Sequence, residues 1–91
     1  EIEAALETLD GIERAAVLPR LGRDGSVQSL AAFVEGPQSP DWSGVKEALE
    51  QRLPPWMCPG RYEWVEHMPL TPNGKCDRNV LKEWVRDGKP G

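Results

Sequence analysis

The chain has 91 residues, room for one small domain and not for two. Charged residues make up 29% and apolar residues 38%, which excludes an intrinsically disordered chain, and no apolar run approaches the ~20 residues of a membrane-spanning helix. A net charge of −4 with no basic cluster argues against nucleic acid, whose binding depends on grouped Lys and Arg. A domain of this size buries only roughly 60% of its unfolded surface, so its core is modest.

Residues 1–9 read as a helix with Ile2, Ala5, Leu6 and Leu9 on one face, and Gly11 as its stop. Starting at the first residue without a capping side chain, this helix reads as the continuation of something longer. Residues 12–18 and 27–34 read as strands, joined by turn chemistry at Arg23, Asp24, Gly25 and Ser26 and pairing as an antiparallel hairpin. The second strand is apolar on both faces, which predicts a central position in the sheet. Ser39, Pro40 and Asp41 predict a helix start, with Ser39 as the hydroxyl cap and proline in the first turn. Trp42, Val45, Leu49 and Leu53 form the apolar stripe of that helix, and Pro54-Pro55 ends it.

Residues 61–68 alternate as a third strand, closed by Pro69. A helix is predicted over 78–86, with Val80, Leu81, Trp84 and Val85 facing inward and Gly88 terminating it. The expected architecture is α+β: a small sheet of about three strands packed with about three helices. Residues 1–86 form the domain, and 87–91 read as the start of a linker.

Four tryptophans are many for this length. Trp42 and Trp84 fall on apolar helical faces and read as core, and Trp64 reads as core or sheet face. Trp56 sits in a proline-rich loop, where it could brace a neighbouring turn, meet another domain or simply pack inward. His67 has no carboxylate–serine or carboxylate–cysteine partnership legible from spacing, so it reads as structural. Cys58 and Cys76 belong to no CxxC pair, and no metal site is expected. Spacing leaves a Cys58–Cys76 disulfide open, since both flank one strand; two free thiols in a reducing cytosol is the preferred reading. Gly36, Gly44 and Gly60 are isolated, so the chain carries no glycine-rich phosphate loop.

The most informative segment is Pro69-Leu70-Thr71-Pro72-Asn73-Gly74-Lys75-Cys76-Asp77-Arg78. Asn73-Gly74 predicts a tight turn, because both residues accept positive φ at low cost. Lys75 then sits on a short ordered loop as a compact cation with three donors. Asp77 is placed to cap the helix beginning at Arg78. Taken alone, an Asn-Gly-Lys turn is more often a solvated hairpin than a site.

Leu53-Pro54-Pro55-Trp56-Met57-Cys58-Pro59, a strand, then Leu70-Thr71-Pro72-Asn73-Gly74-Lys75-Cys76-Asp77-Arg78 closely resembles the C-terminal subdomain of adenylate-forming enzymes. The likeness is greatest to the amino-acid-activating adenylation domains of nonribosomal peptide synthetases and to stand-alone carrier-protein ligases. Glu1-Ile2-Glu3 is similar to the end of that family's glycine-glutamate-isoleucine-glutamate segment. The resemblance implies a lid that closes on a larger N-terminal subdomain and inserts Lys75 for ATP- and Mg²⁺-dependent formation of an acyl-adenylate. It implies transfer of the acyl group to the phosphopantetheine thiol of a carrier protein, with a carboxylic acid, by likeness an amino acid, as substrate. Asn73, Gly74, Asp77 and Arg78 would support the turn and the helix start, and Trp56 is the possible brace. It further implies a cytoplasmic location and an isolated chain without activity. The alternative is a non-catalytic protein-interaction module.

Overall fold

The computed structural model describes residues 2–87. Strands β1 (Arg14–Leu21), β2 (Val27–Glu35) and β3 (Arg61–Val65) form one sheet in the order β1-β2-β3. The apolar run of β2 is central, as its two-sided pattern predicts, and it pairs antiparallel with β1. Gly25, at φ 83°, supplies the left-handed residue of the connecting turn. β3 runs parallel to β2, so the intervening helix α2 (Trp42–Arg52) is a crossover connection.

Alternation along the strands divides the core in two. Ala15, Ala32 and Val34 face helices α1 (Ile2–Glu7) and α2, where Leu6 and Leu49 are fully buried and Trp42, Tyr62 and Trp64 pack at the margin. Ala16, Leu18, Ala31 and Phe33 face helix α3 (Arg78–Asp87), where Leu81 is fully buried and Trp84 meets Phe33 edge-on at 5.9 Å. The α+β architecture of three strands and three helices is the one expected.

Several boundaries differ from the sequence reading. Helix α1 closes at Glu7 rather than residue 9, and Gly11 (φ 84°) follows after a turn. β1 covers Arg14–Leu21 rather than 12–18, because its pairing with β2 continues to Leu21. The cap of α2 is Asp41, whose carboxylate accepts the Ser43 N–H at 3.1 Å, and not Ser39. β3 stops at Val65 instead of residue 68, because Glu66 and His67 bend out of the ladder. Helix α3 includes Asp87, which the sequence reading places in the linker 87–91; the proposed stop at Gly88 and the rest of that linker lie outside the described residues.

As an edge strand, β1 would leave outward backbone groups unpaired. Helix α1 supplies their partners: the Ala15 N–H donates to Glu7 at 3.1 Å and the Val17 N–H donates to Glu3 at 2.7 Å. Gly36, just beyond β2, is buried against the backbone of Gly11, and its carbonyl accepts the Trp64 indole N–H at 3.2 Å.

Candidate functional site

The lysine segment folds as a second, very short hairpin attached to the α3 side of the sheet. Leu70 and Cys76 form its one antiparallel bridge. The Gly74 N–H donates to the Thr71 carbonyl at 2.9 Å, the Thr71 N–H to the Lys75 carbonyl at 2.7 Å, and the Asp77 N–H to the Pro69 carbonyl at 2.8 Å. Gly74 alone takes positive φ, at 84°, while Asn73 does not. The turn therefore runs through Pro72 and Asn73 in ordinary backbone space and uses glycine only where the chain reverses. The Thr71 hydroxyl also accepts the Lys75 N–H at 3.3 Å, a contact not legible from the motif.

Lys75 is exposed, and its ammonium has no partner among the described residues. Its backbone is held on both sides while its charge is left unused. A lysine folded onto a neighbouring carboxylate would be a structural ion pair. This one is an ordered backbone carrying a free cation.

The exit leg is anchored through the start of α3. Asp77 caps the helix as expected, accepting the N–H groups of Asn79 at 3.1 Å and Val80 at 3.4 Å. Arg78 bonds back not to the loop but to the far edge of the sheet. Its Nη1 donates to the Val17 carbonyl at 3.2 Å, and its Nη2 donates to both Glu3 carboxylate oxygens at 2.8 and 2.7 Å. The entry leg begins at Met68, whose N–H donates to the Glu35 carboxylate at 2.7 Å. Glu3, Glu35 and Thr71 are thus supporting residues that motif reading missed. The available signal for Glu35 was a lone charge ending an apolar strand.

Trp56 is 80% exposed on a 3-10 turn (Pro55–Met57). It is not a core residue. Its loop is rooted by Cys58 in the α1/α2 core, whereas the lysine hairpin is rooted by Cys76 in the α3 core. The structure thus does not bring Trp56 and Lys75 together within this domain. The same separation settles the cysteines, which are free thiols on opposite faces of the sheet. Burial pushes the Cys76 thiol above its ordinary value, aided by Glu3 and opposed by Arg78. Burial likewise pushes the Tyr62 phenol up to about 12, so it stays protonated at neutral pH. His67 lies on the surface beside Glu66 at 3.6 Å. No group of three or more His, Cys, Asp or Glu side chains among the described residues could hold a metal ion. No described helix is long and apolar enough to cross a membrane.

Comparison with known proteins gives the hairpin its context. Over 84 residues the chain is 42% identical to delta-poly-L-ornithine synthetase of Acinetobacter baumannii (strain AB307-0294), covering 90% of this chain and 6% of that protein. It is 34% identical over 89 residues to D-alanine–D-alanyl carrier protein ligase of Staphylococcus aureus (strain JH9), covering 93% of this chain and 18% of that protein. Among solved structures, holo-AB3403, a four-domain nonribosomal peptide synthetase bound to AMP and glycine, superposes with a TM-score of 0.75 at 38% identity, over 88% of this chain and 6% of that one. The chain therefore spans a small fraction of the proteins it matches. Residues 1–75 match the AMP-binding enzyme C-terminal domain, a match that ends on Lys75 itself. With that match covering most of its length, the chain belongs to the AMP-binding enzyme C-terminal domain family.

Proposed function

We propose that this domain is the mobile lid of an enzyme that activates a carboxylic acid, by likeness an amino acid, as an acyl-adenylate. The carrying observation is the free ammonium of Lys75 on a hairpin whose backbone is bonded on both legs. When a carboxylate attacks the α-phosphorus of ATP and pyrophosphate leaves, negative charge spreads over the phosphate and carboxylate oxygens. A preorganised cation stabilises that charge best where water is excluded, as between two closing subdomains. The described residues form neither a glycine-rich phosphate cradle nor a metal-ligand cluster. By likeness to the much longer synthetase solved with AMP and glycine, ATP, Mg²⁺ and the acyl substrate are assigned to a larger N-terminal subdomain.

In the second half-reaction the acyl group passes to the phosphopantetheine thiol of a carrier protein. The similarity to a carrier-protein ligase and to a multidomain synthetase supports that partner. Lys75 has no role in this step, because the adenylate is already made.

The test is Lys75→Ala in the intact enzyme. ATP–pyrophosphate exchange should fall by ~10²–10³, the usual effect of removing one preorganised electrostatic contact. Carrier loading from synthetic acyl-adenylate should be largely spared. Equal losses in both assays would refute a step-specific lysine, and no loss in either would favour a non-catalytic interaction module. The isolated 91-residue chain should unfold cooperatively and support no exchange; measurable exchange would place the nucleotide site within it.

A further inference from the structure

Glu35 is the only buried charged side chain among the described residues, at 7% exposure, and the reaction outlined above makes no use of it. It ends the central strand in register with Arg14 on one side and Val65 on the other. Its Oε1 accepts Arg14 Nη1 at 2.6 Å and its Oε2 accepts the Met68 N–H at 2.7 Å. Desolvation pushes the Glu35 carboxyl up, but the Met68 N–H, the Arg14 hydrogen bond and charge, and the His67 charge together hold it below the ordinary range.

Only the carboxylate of this pair is buried, and well-packed apolar residues would fill its place without the desolvation cost. This pair does something apolar residues cannot. β3 leaves the ladder after Val65, Glu66 and His67 are exposed, and the chain re-enters the fold at Met68. Pro69, the next residue, is the first rung of the lysine hairpin. The bond from Glu35 thus sets where the hairpin leaves the sheet. On the far leg, Asp77 and Arg78 set where it returns.

We propose that Glu35, neutralised by Arg14, is a positioning residue for Lys75, fixing the root of the lysine hairpin through the Met68 N–H. This rests on the reading of Lys75 as the cation of adenylate formation. Replacing the carboxylate by an amide leaves one of its two partners without an acceptor. The hairpin root then opens more often, while the rest of the sheet stays paired.

Cys76 and Cys58 provide a paired reporter, one in the hairpin and one on the opposite face. In the intact enzyme, iodoacetamide alkylation of each is followed by peptide-resolved mass spectrometry, comparing Glu35→Gln with the parent. Cys76 should react about tenfold faster or more relative to Cys58, the scale expected from losing a charged hydrogen bond. An unchanged ratio overturns the proposal, as does equal acceleration of both thiols, which marks general destabilisation. Should Glu35→Gln fail to fold, Arg14→Gln removes the counter-charge from a half-exposed site, and Cys76 must again outpace Cys58.

Pyrophosphate exchange then links the hairpin to chemistry. Glu35→Gln should lower exchange about tenfold with Lys75 present and add no loss to Lys75→Ala, because residues acting through one another are non-additive. The same factor in both backgrounds overturns the positioning role. Full exchange in Lys75→Ala alone would instead defeat the functional reading, while the thiol ratio would still show whether Glu35 orders the hairpin.

Discussion

Arg78 and Glu3 stand 75 positions apart in the chain, yet one guanidinium nitrogen of Arg78 reaches both carboxylate oxygens of Glu3, at 2.8 and 2.7 Å. The same carboxylate accepts the Val17 N–H, and the same guanidinium donates to the Val17 carbonyl. One residue of β1 is thereby held through both its backbone groups. The first helix and the helix following Lys75 are joined across it.

Arg78→Lys should weaken this junction although charge is retained, because an ammonium cannot span Glu3 and Val17 together. Both side chains are partly solvated, so the expected loss is small, about 0.5–1 kcal/mol in urea unfolding. A double-mutant cycle with Glu3→Gln should give a coupling of similar size. Strict additivity would mean that the pair contributes nothing.

Trp56→Ala should leave stability within about 0.5 kcal/mol, as for other exposed sites, rather than costing the ~3–5 kcal/mol of a buried aromatic. In the intact enzyme, exchange activity should fall severalfold while the thermal midpoint stays put, since an indole on a stiff Pro-Pro turn suits contact with another domain. Unchanged activity would leave Trp56 as a solvated residue.

Gly36→Ala should destabilise by about 1–3 kcal/mol, the range for overpacking a filled site. A Cβ there runs into the Gly11 carbonyl oxygen, and backbone cannot swing aside as a long side chain can. A urea midpoint equal to the parent's would show that the contact relaxes freely.

Acid should expose the contribution of Glu35. Its folded value lies below the ordinary glutamate value of 4.5, so in that interval the unfolded chain binds the extra proton. The stabilisation is fully present above about pH 4.5 and is lost as pH falls through the folded value. Urea midpoints across that window should drop more steeply for the parent than for Glu35→Gln. Parallel profiles would contradict a depressed Glu35.

The residues legible in sequence are those whose roles are local. Gly74 reverses the turn, Asp77 caps the following helix, and Val45 and Leu49 repeat at helical spacing; each is settled within a few positions. The tight turn that carries Lys75 was legible from its motif for the same reason. What escaped depends on partners far away in the chain. β3 looked eight residues long because alternation persists to Met68, but the Met68 N–H is taken by Glu35, 33 positions earlier, and not by a strand. Ser39 and Asp41 are both good caps, and only the approach of the backbone selects Asp41. The parallel pairing of β3 with β2 is a matter of topology on which side-chain alternation is silent.

The side-chain covering of β1 also bears on synthesis. The Ala15 and Val17 amides face Glu7 and Glu3, while the Val17 carbonyl waits for Arg78, a residue made 61 positions later. Until then the outer rim of β1 is guarded from one side only, by a short helix too small to be stable alone. Bare strand edges recruit other strands. A truncated form lacking α1 would offer the backbone of Ala15 and Val17 as a template for self-association, and a nascent chain not yet extended to Arg78 would leave the Val17 carbonyl bare.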